Sequence, residues 1–368
     1  MKKSRIAVIA LVIALFLALV AVIFLYGRIS SDNGSARTCI GLILPGDKED
    51  GGWSQSHYDA MTSLEEEMNL RIICRENVNE SDEDFLPVIE EMAEEGASII
   101  CAAGWQYGEQ LLAINENYPD IVFLHCSGTT DEGNVSTYFG RMYQARYLTG
   151  IAAGLRTDSD NIGYVASMRT DEVIRGINAF TLGVRSVNPD AVVHVAWTNS
   201  WDDSALEEKQ TERLIGEFGA DVLTYHQNTA LVCEVAEREG VYSIGYHLDQ
   251  TERFPRSYLT TAKWNWAGFY RSRIRECIQG SFSGGDYWEG YNEGMVEVSE
   301  LTENNAENAA EAIAEAAQRL RDGDWDVFVG PIRDNRGEIR LPEGERMSDD
   351  SLLHSFDWFV EGVDDIED

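Results

Sequence analysis

The sequence predicts an α/β protein of two doubly wound parallel-sheet lobes with a small-molecule cleft between them. Three observations predict it. From residue 39 onward, short apolar runs alternate with amphipathic stretches, and a β-α-β-α order implies a parallel sheet covered by helices. The apolar runs are continuous rather than alternating, as in strands buried on both faces. The series restarts near Asn161, so two units of one architecture follow each other.

The first unit reads as strand 39–44, helix 53–68, strand 70–74, helix 82–94, strand 98–102, helix 109–117 and strand 121–125. The second reads as strand 162–166, helix 172–187 stopped by Asn188-Pro189, strand 192–197, helix 205–218, strand 222–225, helix 231–239 and strand 241–246. Strand 258–262 and helix 269–278 come next. The Ala/Glu-rich stretch 304–321 is helical, and 326–330 with 338–341 form a short hairpin.

Ahead of these units, Lys2, Lys3 and Arg5 precede an uncharged apolar run over residues 6–26. A helix needs about 20 residues to cross the hydrocarbon core, and the basic flank stays inside. The run ends in bulky Phe24, Leu25 and Tyr26, where a cleaved signal has small residues. It reads as a membrane anchor that leaves the rest of the chain outside the cytoplasm, with a cleaved secretion signal as the alternative. Residues 27–37 are a polar linker.

The formal charge is −35. Nucleic-acid binding needs clustered Lys and Arg on phosphates, so no nucleic-acid partner is expected. The acidity fits solubility at an acidic or salty exterior, and a neutral or cationic ligand. The six cysteines show no CxxC or Cys/His spacing, so no metal site is expected. Cys39 with Cys74, or Cys101 with Cys126, would be neighbours if their strands are adjacent, and an exterior compartment permits disulfides. No phosphate loop or nucleophile elbow occurs, and no cofactor is expected. The paired acids Asp202-Asp203 and Asp47 with Asp50 read as solvated, and His125, His226 and His247 as strand-end histidines without a shared metal.

In open parallel sheets, ligands bind outside the carboxyl ends of the strands. The loops concerned are 45–52, 103–107, 127–130, 167–171, 198–203, 226–229 and 247–251. They hold Trp53, Trp105, Tyr107 and Trp201 among neutral polar groups such as Ser54, Asn199 and Gln227. Flat indoles suit a planar ring by offset stacking, and an apolar pocket with a few polar groups is typical of small-molecule sites.

Several segments carry a resemblance. They are Asp50-Gly51-Gly52-Trp53-Ser54-Gln55-Ser56-His57, the run 138–150, Gly176-Ile177-Asn178-Ala179-Phe180-Thr181-Leu182-Gly183, Val187-Asn188-Pro189, Trp197-Thr198-Asn199-Ser200-Trp201 and Gly330-Pro331-Ile332. Together they resemble the basic membrane protein family of ABC-transporter solute-binding proteins, which includes purine-nucleoside receptors, over residues 40–363. The resemblance implies a type 1 periplasmic-binding-protein fold whose lobes close by hinge motion. Its crossovers map near Thr157, Trp266 and Gly290. That gives a first lobe of 38–157 with 267–290, and a second of 158–266 with 291–368, behind the N-terminal segment 1–37.

It also implies a function: capture of a purine nucleobase or related planar heterocycle for an ABC permease and ATPase, without catalysis. Trp53 matches the aromatic that stacks on the purine, with Trp105 or Trp201 facing it, and Asp50 matches the acid beside it. Ser54 stands where nucleoside binders often have Asn. In 245–250 His247 replaces an Asp suited to ribose hydroxyls, and Trp264 stands near an expected Lys. Both departures favour a bare base. Asp50, Asn199, Gln227 and His247 are then expected to hydrogen-bond the ring edge. A membrane-anchored ligand sensor and a nucleoside hydrolase are the alternative functions.

Overall fold

The apolar runs read as strands between residues 39 and 262 all become strands, and the strands sort into two sheets. The computed structural model describes residues 37–366 except 80 and 129. The apolar run 6–26 and its anchoring role fall outside the described residues. Among the described residues no helix is long and apolar enough to cross a membrane.

The first sheet has strand order β11-β5-β4-β3-β1-β2. Its strands are β1 (Thr38–Ile43), β2 (Leu70–Arg75), β3 (Ile99–Ala102), β4 (Val122–Cys126), β5 (Val135–Gly140) and β11 (Asp286–Glu289). The pairings β1–β3, β3–β4, β4–β5 and β5–β11 are parallel. The second sheet has order β12-β10-β9-β8-β6-β7-β15. It comprises β6 (Asn161–Ala166), β7 (Val192–Trp197), β8 (Val222–His226), β9 (Tyr242–His247), β10 (Tyr258–Trp264), β12 (Val296–Val298) and β15 (Val363–Asp365). All its pairings are parallel except β10–β12. Cys39–Asp368 forms one compact unit.

The helices are α1 (Trp53–Thr62), α2 (Glu65–Met68), α3 (Asp82–Glu94), α4 (Gly108–Ile114), α5 (Met142–Arg156), α6 (Asp171–Val187), α7 (Ser204–Phe218), α8 (Leu231–Glu239), α9 (Trp266–Gln279), α10 (Ala309–Asp322) and α11 (Asp349–His354). Four of them, α7 to α10, end on a glycine in the left-handed region. That conformation costs glycine no Cβ clash.

Several expectations are corrected. The helix read over 53–68 is two helices. Ser63 and Leu64 tighten onto Asp59 and Met61, which lets Leu64 turn fully into the core. The helix 109–117 is α4 flanked by 3₁₀ turns at Trp105–Tyr107 and Asn115–Asn117. The hairpin lies later than read: β13 (Ile332–Arg333) pairs with β14 (Ile339–Leu341). All six cysteines are free thiols, although β1–β3 and β3–β4 are neighbours.

The chain first leaves the first sheet after β5. The next helix, α5, packs along α6 and against β10. A Cβ on Gly150 would sit 2.2 Å from the Phe180 carbonyl oxygen, and one on Gly183 2.0 Å from that of Tyr147, so the two helix backbones touch. The chain returns through α9, which packs on α1, and β11 then extends the first sheet. Beyond α10 the tail covers the second sheet, where Phe356, Phe359, Val360 and Val363 are buried and β15 lies beside β7.

Candidate functional site

All seven strand-end loops contribute to one cavity of about 450 Å³. The first-sheet side supplies Pro45 and Gly46 after β1, Trp53 at the start of α1, Gly104 to Gln106 after β3 and Ser127 after β4. The second-sheet side supplies Met168, Glu172, residues 199–202, His226, Asn228, Tyr246 and His247. This is the carboxyl-end geometry of parallel sheets.

Trp53 is 9% exposed, and its indole N–H donates to the Ala103 carbonyl at 2.8 Å. Its ring therefore meets the cavity without a free donor. The ring stands edge-on to His57, His247, Trp264 and Trp266, at centroid distances of 4.7 to 6.0 Å. Those partners form a stack: Trp264 lies on Trp266 at 4.4 Å, and Trp266 lies on His57 at 4.4 Å. Burial pushes the His57 imidazole down to about 3, and its Nδ1 meets the Tyr270 hydroxyl at 2.6 Å.

His247 is held from both sides. Its Nδ1 accepts from the Trp264 indole N–H at 3.1 Å, and its Nε2 lies 3.0 Å from the Gln227 carbonyl. That pattern requires the neutral Nε2–H tautomer. Burial holds its pKa well below the usual histidine range, with nearby His226 adding to the effect. Both nitrogens are engaged, so His247 offers the cavity ring surface only. The two departures singled out in sequence, His247 and Trp264, are thus partners in one hydrogen bond.

The nine sequence-predicted residues divide into two groups. Trp53, Trp105, Asn199, Trp201 and His247 line the cavity. Trp105 is 62% exposed and stands at the rim; Trp201 lies 6.1 Å from the His226 ring. Asp50, Ser54, Gln227 and Trp264 build the wall behind it. The Asp50 carboxylate accepts from the backbone N–H groups of Gly52, Ser54 and Gln55 at 2.8, 2.8 and 3.0 Å, satisfying the open N-terminus of α1. Burial still raises its pKa against those bonds. The Ser54 hydroxyl accepts from the Gly46 N–H at 3.2 Å and fixes the loop after β1. Gln227 donates to Thr198 Oγ1 at 2.8 Å.

Sequence reasoning missed Glu172 and Tyr246 and gave His226 no role. His226 Nε2 lies 3.2 Å from Glu172 Oε1 and 3.4 Å from the Tyr246 hydroxyl. Burial lowers its pKa, opposed by Glu172, and Nδ1 has no partner among the described residues. The buried Arg146 guanidinium sits 3.7 Å over the Tyr246 ring. Glu172 falls one residue beyond the inspected loop 167–171, in the first turn of α6. The position just after a helix start was the available signal.

No Lys or Arg lines the cavity, and its charged lining groups are Glu172 and Asp202. Across the cavity edge the two sides meet on backbone carbonyls. The Trp53 N–H donates to the Asn228 carbonyl at 3.1 Å, and Gln250 Nε2 to that of Gly51 at 2.8 Å. A Cβ on Gly52 would fall 1.8 Å from the Asn228 carbonyl oxygen, so glycine is required for this approach. Among the described residues, no group of three His, Cys, Asp or Glu gathers to hold a metal ion.

Known proteins share the sequence family and the fold. Residues 37–322 match the family model Bmp, described as ABC transporter substrate-binding protein, PnrA-like. A purine-binding protein of Brucella abortus is 31% identical over 89% of this chain and 93% of its own length. A putative ABC transporter glucose-binding protein of Haloferax volcanii is 32% identical over 86% of this chain and 77% of its own. An ABC transporter solute-binding protein of Aeropyrum pernix shares the fold at a TM-score of 0.69 and 17% identity, over 87% of this chain and 98% of that one. The fold is that of the type 1 periplasmic solute-binding proteins. The chain belongs to the Bmp family of PnrA-like ABC transporter substrate-binding proteins.

Proposed function

We propose that this substrate-binding protein captures a purine nucleobase or a closely related planar heterocycle, outside the cytoplasm, and delivers it to an ABC permease and its ATPase. The observation that carries this reading is the lining: indole and imidazole faces, acceptor-rich polar groups and no cationic side chain. Such a cavity disfavours phosphate and carboxylate ligands and suits a flat ring bearing N–H donors. Trp53 stacks on the ring, with Trp105 or Trp201 closing on its other face. Asn199, Asp202 and Glu172 read its edge. His247 presses its ring against the ligand, while Asp50, Ser54, Gln227 and Trp264 hold the wall. No residue here acts as a catalyst, and the apolar run 6–26 keeps the protein at the membrane.

The hinge segments we assign are Arg141, Trp266 and Gly290. The first precedes the Thr157 expected from pattern, because α5 packs on the second sheet's side. Isothermal titration against adenine, hypoxanthine, adenosine, guanosine and glucose tests the ligand class. Heat from adenine or hypoxanthine with none from glucose supports the assignment; silence from all four purines removes it. A sugar is the second reading. It is favoured by the Haloferax relative's name and by two acids that suit hydroxyl groups, and heat from glucose alone would establish it.

A further inference from the structure

Beneath the second-sheet half of the cleft, four buried oxygens have no hydrogen-bond partner among the described residues: Ser167 Oγ, Glu207 Oε1, Gln210 Oε1 and Gln227 Oε1. Their residues are each at most 3% exposed. Ser167 follows the end of β6 and Gln227 follows the end of β8, its neighbour. Glu207 and Gln210 occupy the first two turns of α7, which packs on β6 and β7. Their partners stand at neighbouring chain positions. Gln210 Nε2 donates to the Trp197 carbonyl at 3.0 Å, and Gln227 Nε2 to Thr198 Oγ1, one residue on, at 2.8 Å. Thr229 donates its hydroxyl to Glu207 Oε2 at 2.9 Å. The Thr198 N–H bonds the carbonyl of Ala166, beside Ser167.

The neighbouring groups set the amide orientations. The Trp197 carbonyl can only accept. Thr198 Oγ1 donates to the Ser200 carbonyl at 2.7 Å and accepts from Gln227. Flipping the Gln210 amide would set two acceptors face to face, and flipping that of Gln227 would take the Thr198 hydrogen from Ser200, so the observed pairing leaves both amide oxygens for another group. With the free Glu207 oxygen in its ionised form, this makes three acceptors beside a single serine hydroxyl. One water brings two hydrogens and leaves the set short. A cation held among them would meet acceptors without bringing further ones, and an unmet buried carboxylate is costly. Burial, and behind it nearby Asp202 and Asp203, press the Glu207 carboxyl up to about 7 against its one bond from Thr229.

We propose that Ser167 Oγ, Glu207 Oε1, Gln210 Oε1 and Gln227 Oε1 form an internal site for a hard monovalent cation, sodium or potassium. Neutral and anionic oxygens are the ligands hard cations take. The one carboxylate balances one charge, in keeping with the absence of a three-acid cluster among the described residues. The ion sits behind residues 199–202 and 227–228 and braces two of the loops that shape the cleft. Its existence does not depend on which ligand the cleft takes.

The test is ion-specific stabilisation of the full chain. Melting temperature is followed by circular dichroism while choline chloride is replaced by sodium or potassium chloride at constant ionic strength. A saturable rise with sodium or potassium is expected. Glu207→Gln should abolish it. Ser167→Ala, which leaves the charge in place and is the milder change, should move the half-saturation point upward by at least about tenfold, since losing even a residue that only supports an ion's ligands costs that much. Melting that is the same in all three salts overturns the site. So does a saturable rise that survives both variants unchanged. If Glu207→Gln fails to fold, Ser167→Ala decides alone.

Discussion

Trp53 meets the cleft with its ring because its indole N–H is already bound to Ala103. Replacing it with Ala should weaken ligand binding by at least about 1–3 kcal/mol, the scale of one base–aromatic stack; calorimetry showing unchanged affinity would place the ring elsewhere. His57 makes a prediction of a different kind. It is buried among Trp53, Trp266, Tyr138, Tyr270 and Cys126, and burial pushes its pKa down to about 3. The unfolded chain protonates His57 near its ordinary value, so its stabilising contribution is complete above that value and drains away as pH falls toward about 3. Between pH 7 and pH 5 this amounts to about 2 kcal/mol. Chemical denaturation of the wild type and of His57→Asn should diverge in slope across that interval, and parallel curves would refute it. The place of Trp53 in the cavity wall was legible because the residue stands beside a strand-end loop. Asp50 and Gln227 were read as ligand contacts because a sequence does not show which partners their polar atoms have found. Backbone amides take the first and Thr198 the second.

The strands that hold the fold together were legible as continuous apolar runs, since burial on both faces leaves no room for alternation. The strands passed over have other reasons to exist. β11, β12 and β15 read Asp-Tyr-Trp-Glu, Val-Glu-Val and Val-Asp-Asp. They are short polar edges, defined by the neighbour they pair with rather than by composition. β5 is apolar only in part and was noticed solely within a family motif. The helix pair α5–α6 shows how a small residue becomes an element-scale constraint. Gly150 and Gly183 each lie against a backbone carbonyl of the opposite helix. Gly150→Ala should force the helices apart and cost about 1–3 kcal/mol, as overpacked interiors do, lowering the melting temperature. An unchanged melt would mean that the helices shift freely against each other.

At the scale of the molecule, the charge of −35 repels itself, and salt screens that repulsion. Raising ionic strength with choline chloride alone should therefore raise the melting temperature gradually and without saturation. A melting temperature indifferent to salt would show that the acids are already compensated by their ion pairs. Architecture was readable at this scale because two similar series of elements imply two sheets whose strand ends face one cleft. The path between the sheets was less so. Helix α5 is continuous with the first unit in sequence, yet its buried face fits the second, and only packing reveals which side it joins.

The indole stack has a consequence outside binding. Trp264 and Trp266 lie 4.4 Å apart and 16° from parallel, with Trp53 edge-on to both. Chromophores so placed share their excited states, which gives the chain a built-in optical signature in near-ultraviolet dichroism and emission. Since Trp53 lines the cavity, a molecule entering it should change that signature in the unlabelled protein.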